Sequence, residues 1–125
     1  NFGYSRESYK FFDKSLNIDS SNDYLRIRLI EYLFNNIETI DNAERIVLEF
    51  NKIQLNTDKN NRLLRIMVKT FEFLNKDDFK YVYESKIEMN NGNHELAKEY
   101  LKIAEKITKD GNLIKKIAKL KKINE

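Results

Sequence analysis

An all-α fold of about seven antiparallel helices is predicted by three observations. The 125 residues contain no proline and only three glycines, and these are the residue types that break helices. Apolar residues recur at three- and four-residue intervals in segment after segment, the spacing of amphipathic helices. No segment shows sustained strand alternation, and the breaks between periodic segments are short and polar, which makes neighbouring helices antiparallel. Hydrophobic residues at 41% and charged residues at 34% give the balance of a globular chain rather than a disordered one. The length suits one domain, 1–125, with a core of its own.

The first helix is expected over 4–18, where Ser8, Phe11, Phe12, Ser15 and Leu16 share one stripe. A turn cluster at 19–22 follows, and Asp23 can cap a second helix to Asn36. Leu25, Ile27, Leu29, Ile30, Leu33 and Phe34 leave that helix little polar surface, so it needs cover on more than one side. A third helix, 39–54, has Ile46, Val47, Phe50 and Ile53 as its apolar stripe. The longest polar stretch runs from Asn56 to Asn61, and Asp58 is the expected cap of a fourth helix through Leu74. Asn75-Lys76-Asp77 ends it, and a fifth helix spans about Asp78 to Met89. Asn90-Asn91-Gly92-Asn93 reads as a tight helical turn in which Gly92 takes a positive φ. A sixth helix reaches about Lys109, Asp110-Gly111 stops it, and residues 111–124 form an amphipathic capping helix.

Two segments share a further pattern. Gly3, Ser8, Phe12 and Ser15, continued by Leu16 and Asp19, place a glycine, a small residue, a large apolar residue and a second small residue at fixed spacing. Gly92, Ala97, Leu101 and Ala104 repeat it. Small residues let paired helices approach closely, and the large one fills the gap between neighbours. Both segments resemble the second helix of a tetratricopeptide repeat. Ala43 and Val47 make a weaker copy, with Phe50 at the second small position and Glu38 at the turn glycine. Ser20 stands where the family has proline, and Gly3 and Gly92 lie 89 residues apart, which is no multiple of the repeat's period of about 34. The resemblance implies helix pairs stacked as an α-solenoid; the alternative is an irregular helical bundle. It also implies a protein-interaction module rather than an enzyme, a scaffold part of a larger protein, and an excess of Lys, Asn and Ile suggests an AT-rich bacterial coding sequence. The chain starts at Asn1 and in mid-repeat, so the expected partner of the first helix lies upstream, which makes Phe11 and Phe12 an expected exposed apolar edge open to self-association.

The family's concave surface comes from the first helix of each pair. Carried onto this chain, it implies a partner-binding face of Arg28, Tyr32, Asn35 and Asn36 on the second helix and Arg62, Ile66 and Lys69 on the fourth. Such a face is mildly basic and suits an acidic or carboxylate-bearing peptide. Tyr32 and Ile66 stand where the family's carboxylate clamp has asparagine, so binding to chaperone C-termini is not implied.

Chemistry has few candidates. His94 is the only histidine and follows the turn glycine, a position for packing or capping rather than for a general base. Glu84/Glu88 and Glu95/Glu99 are i, i+4 carboxylate pairs, but the Glu-x-x-His motif of bundle metal sites is missing. There is no phosphate loop, dinucleotide fingerprint or calcium loop, so neither a metal nor a cofactor is expected. Tyr81 and Tyr83 lie two apart, about 200° around a helix, so at least one is expected to face outward.

Net charge is +3, and residues 111–125 carry +4 of it through Lys115, Lys116, Lys119, Lys121 and Lys122 against Glu125. Leu113, Ile114, Ile117, Leu120 and Ile123 form the opposite face. That pattern fits a cap on a helical array first and contact with an anionic membrane second. Nucleic-acid binding ranks below both, because the positive charge is confined to one helix without arginine. No stretch approaches the roughly 20 apolar residues of a membrane span. The absence of cysteine leaves the compartment open.

Overall fold

The computed structural model describes residues 6–124, with side chains from Tyr9 onward. Gly3, Tyr4 and the Ser8 side chain, on which the repeat reading of the first helix leans, lie outside the described residues, as does Glu125. Seven helices and no strand are present among the described residues: α1 Arg6–Ile18, α2 Asp23–Asn35, α3 Ile40–Asn51, α4 Asn61–Phe73, α5 Asp77–Asn90, α6 His94–Ile107 and α7 Gly111–Ile123. The fold is all-α, as the periodicity predicts, and within α1–α3 and within α4–α7 helices adjacent in sequence pack against each other. They form two compact units, 1–56 and 57–125. The boundary falls in the long polar stretch, where no apolar residue anchors the chain to a core.

Most helix starts are fixed by a side-chain oxygen that takes an orphan N–H of the first turn. Asn22 accepts from Leu25 N, Thr39 from Asn42 N, Asn60 from Leu63 N and Asp110 from Leu113 N. Two expected caps are corrected. Asp23 sits inside the first turn of α2, and its carboxylate instead accepts the Gln54 and Leu55 N–H groups at 3.0–3.3 Å. Asp58 yields the cap of α4 to Asn60 and pairs with Lys86 Nζ at 3.0 Å. α3 also stops at Asn51, short of the expected 54.

The helix ends follow backbone chemistry. Gly92 takes φ +83°, and Asn93 N–H donates to Glu88 C=O at 2.8 Å, the six-to-one bond that closes a helix ending in a left-handed residue. Asn75 does the same work at the end of α4 with φ 57°, and Lys76 N–H reaches Phe71 C=O at 2.9 Å. Asparagine tolerates that conformation better than other residues with a Cβ.

Hydrogen bonds across two corners of unit 57–125 show the antiparallel order of α4, α5 and α6. The Asn90 amide bonds Asn61 Oδ1 at 2.6 Å and Asp58 C=O at 2.7 Å, tying the end of α5 to the start of α4. The Thr108 hydroxyl donates to Asp78 Oδ2 at 2.9 Å, tying the end of α6 to the start of α5. In unit 57–125 Val82, Leu101, Ala104, Leu113 and Ile117 form one buried cluster, which joins α5, α6 and α7. Leu64, Val68 and Ile87 join α4 to α5. Ala97 and Ala104 are both 0% exposed. The buried Ser85 is also small, and its hydroxyl donates back to Val82 C=O at 2.6 Å.

Candidate functional site

Unit 1–56 is organised around a buried ion cluster. Arg26 of α2 is 5% exposed and Glu49 of α3 is 3% exposed. Arg26 Nε donates to Glu49 Oε1 at 3.0 Å, and Arg26 Nη1 donates to Ser20 C=O at 2.8 Å. Glu49 Oε2 accepts from Arg45 Nε at 2.9 Å, with Lys52 Nζ at 3.6 Å. Arg45 goes on to α1, where it donates to the Tyr9 hydroxyl and to Asp13 Oδ1, both at 2.8 Å. The Tyr9 ring in turn lies 5.4 Å from the ring of Tyr32. One carboxylate and two guanidiniums thereby link all three helices of the unit.

The electrostatics decide what this cluster can do. Burial alone raises the Glu49 carboxyl, but the bonds from Arg26 and Arg45 outweigh it and hold the group below its ordinary value. Burial likewise pulls the Arg45 guanidinium down, and the bonds to Asp13 and Glu49 more than reverse it. Glu49 is therefore an ionised carboxylate with both oxygens occupied. A proton acceptor needs the opposite arrangement, a raised value and an open lone pair. The cluster fixes helix register. Sequence reading missed it, although an arginine in a helix as apolar as α2 was a usable signal.

The residues expected to bind a partner are dispersed. Arg28 and Asn35 are exposed. Tyr32 is half-buried against Tyr9, and Asn36 is engaged at the end of α2, its amide on Tyr32 C=O at 2.8 Å and its carbonyl accepting from Asn42 at 3.2 Å. In the other unit Arg62 and Lys69 are exposed, with Lys69 4.0 Å from Glu72. Ile66 is 7% exposed and belongs to the core, because α4 buries the stripe of Leu63, Ile66, Met67 and Thr70. The expected apolar edge also divides: Phe11 is 60% exposed while Phe12 is 8% exposed. Adjacent residues point about 100° apart on a helix, so one wall can cover only one of them.

Unit 57–125 carries the aromatic surface. Phe71 stacks on Phe79 at 5.0 Å and on Tyr83 at 5.5 Å. Tyr81, on the other side of α5, stacks on Tyr100 of α6 at 5.7 Å. Both Tyr81 and Tyr83 are half-buried, and lysines lie over their rings, Lys80 at 5.3 Å and Lys86 at 5.2 Å. Burial raises the Tyr100 phenol, and the charges of Glu84, Glu88 and Glu99 raise it further. Lys98 pairs with Glu95 at 3.5 Å and Lys80 with Glu72 at 3.4 Å.

His94 is exposed at the start of α6 and bonds to the end of the chain's last helix. Its Nδ1 lies 2.9 Å from Asn124 Oδ1, and the Asn124 amide donates to His94 C=O at 3.1 Å. These bonds tie the end of α7 to the start of α6. The apolar face of α7 is split, with Leu113 and Ile117 in the core and Ile114 and Ile123 exposed. Among the described residues no helix is long and apolar enough to cross a membrane, and no three of His, Asp and Glu converge to hold a metal ion. Comparison of the chain with models of known protein families, with curated proteins and with solved structures finds no match.

Proposed function

We propose that the chain is a protein-interaction module, a helical scaffold that offers one helix face to a protein or peptide partner. The observation that carries this reading is the open stripe of α1. Phe11 is 60% exposed and Ile18 is 81% exposed. Residues seven apart return to the same side of a helix, so both side chains open toward one side of α1, about 10 Å apart with exposed Lys14 between them. Large apolar groups held open together mark interaction surfaces in folded chains. The bonds from Arg45 to Tyr9 and Asp13, which hold α1 to the ion cluster, support the reading, since a preorganised face loses less entropy on binding. Exposed Arg28 and Asn35 on α2 add polar groups suited to an acidic segment. Buried Ala97, Leu101 and Ala104, following the Gly92 turn, suit a tetratricopeptide-like ancestry, which would place the chain among scaffold parts of larger proteins.

The test is capture of partners on the immobilised protein beside Phe11→Ser and Ile18→Ser variants. At least one protein should be retained by the parent and lost from both variants, while the variants keep the parent's melting temperature. Equal recovery on all three would refute α1 as the binding edge. Sedimentation of the same variants separates a foreign partner from pairing of two copies through α1.

A further inference from the structure

The core of unit 57–125 uses one stripe of α6, Ala97, Leu101 and Ala104. A second stripe on the same helix is open. Leu96, Ile103 and Ile107 are exposed, and Tyr100 is half-buried between them. Their spacing of four, three and four residues makes a continuous face about 16 Å long. The spacing is also a palindrome. Reversed end to end about a point between Leu101 and Lys102, Leu96 exchanges with Ile107 and Tyr100 with Ile103. Tyr81 of α5 extends the face sideways, its ring stacked on Tyr100 at 5.7 Å.

The rim is mixed in charge, and the mixture follows the same palindrome. On the flank of α6 away from Tyr81, Glu99 stands before the midpoint and Lys106 after it, with Lys102 a turn before Lys106. Residues seven apart share a side of a helix, so Glu99 and Lys106 border the same edge of the stripe. On α5 the order is inverted. Lys80 comes first, its ammonium 5.3 Å from the Tyr81 ring and 3.4 Å from Glu72, and Glu84 follows one turn later. The charges of Glu84 and Glu99 are both felt at the Tyr100 phenol, so both carboxylates border the face. Lys80 and Glu84 are centred on Val82, which packs with Leu101 in one buried cluster, so the two helices have their midpoints at the same level.

We infer that two copies of the chain pair through this face, the α6 stripe of each laid antiparallel on that of the other about a twofold axis that crosses α6 at right angles. Such an axis keeps each flank on its own side and reverses its direction. Leu96 of one copy then meets Ile107 of the second, and Tyr100 meets Ile103. Glu99 meets Lys106 and Lys80 meets Glu84, each contact made twice. A parallel pairing would instead bring Glu99 over Glu84, like charge against like. Both copies use the same face, so assembly closes at two. One helix stripe and its rim cover less than the roughly 800 Å² per partner of a standard interface, so the dimer is a weak one.

The experiment is sedimentation velocity of the whole chain at concentrations up to about 1 mM, with the melting temperature as a check on folding. A monomer–dimer equilibrium with no larger species is expected. Ile103→Ser, at an exposed position beside the axis, should weaken the dimer at least about tenfold and leave the melting temperature of the monomer unchanged. Glu99→Lys and Lys106→Glu should each weaken it about threefold or more, because like charges then meet twice. The exchange Glu99→Lys/Lys106→Glu within one chain should restore it. An equimolar mixture of the two single variants should form the mixed dimer in preference to either variant's own. Only a reversed pairing of identical faces gives both results. A chain that stays monomeric throughout, species larger than the dimer, a dimer indifferent to Ile103→Ser, or a double exchange as weak as the single ones would overturn the proposal. So would a dimer lost in Phe11→Ser, which would move the contact to α1. Partner capture tests the α1 edge by itself, so either surface can fail without the other.

Discussion

The Arg26 guanidinium and the Glu49 carboxylate meet at 3.0 Å with both side chains almost wholly out of water. A buried pair of this kind contributes little net stability compared with apolar residues of the same size. Breaking it is another matter, because the remaining charge stays in a dry site without its partner. Glu49→Ala should therefore cost about 3–5 kcal/mol, and Arg26→Met in the same background should recover much of the loss. Denaturant unfolding of the two single variants and the double variant measures this. A nearly unchanged Glu49→Ala would mean that water reaches the cluster.

The same pair sets an acid limit. The folded value of Glu49 lies below its ordinary value, so its contribution is fully present above the ordinary value of 4.5. It is lost as pH falls through the lowered folded value. Melting temperatures from pH 7 down to the acid range should show a steeper decline in the parent than in the Arg26→Met/Glu49→Leu variant. Parallel curves would remove Glu49 from the acid response.

Much of unit 57–125 was legible in the sequence because its determinants lie close together along the chain. The Gly92 turn and the Ala97-Leu101-Ala104 stripe fall within one helix and its entry, and periodicity finds them. Arg26 and Glu49 are 23 residues apart, and no local pattern couples such a pair. The caps went astray for a different reason: Asn22 beside Asp23, and Asn60 near Asp58, are all good capping residues, and composition does not choose among them. The split between Phe11 and Phe12 depends on where the wall of the unit stands, which is a tertiary fact. Ile66 shows the same limit, since a position carried over from a repeat pattern fixes neither burial nor face.

Small side chains at the α5–α6 contact give a packing test. Ala97→Leu and Ala104→Leu each add volume where no solvent-accessible space exists, and each should lose about 1–3 kcal/mol. Thermal melts of both variants check it. If both melt with the parent, the hairpin is looser than the buried alanines imply.

Removal of α7 tests its role as a cap. A chain ending at Asp110 loses Leu113 and Ile117 from the shared core and leaves His94 without Asn124. Burial of two large aliphatic side chains is worth roughly 3–6 kcal/mol, so the helical signal of α6 should fall on truncation. Asn124→Ala, which removes only the bonds to His94, should cost about 1 kcal/mol. Full stability of the truncated chain, with loss of binding to anionic vesicles that the parent shows, would make α7 a membrane element.

Tyr83 should contribute to the alkaline limit of stability. Its ring stacks on Phe71 at 5.5 Å, and burial, with a smaller push from Asp58, moves its phenol up to about 12. The ordinary value is 10.0, so the fold favours the neutral phenol. That stabilisation is fully present below pH 10 and is lost as pH rises through 12. Two measurements follow. Phenolate absorbance should show a tyrosine titrating after the exposed ones, and Tyr83→Phe should remove that late step. Phenylalanine keeps the stack and removes the proton, so the variant should also hold its melting temperature better than the parent between pH 10 and 12. An equally steep decline in Tyr83→Phe would assign the alkaline loss to other groups, Tyr100 first, since its phenol is raised by burial and by Glu84, Glu88 and Glu99.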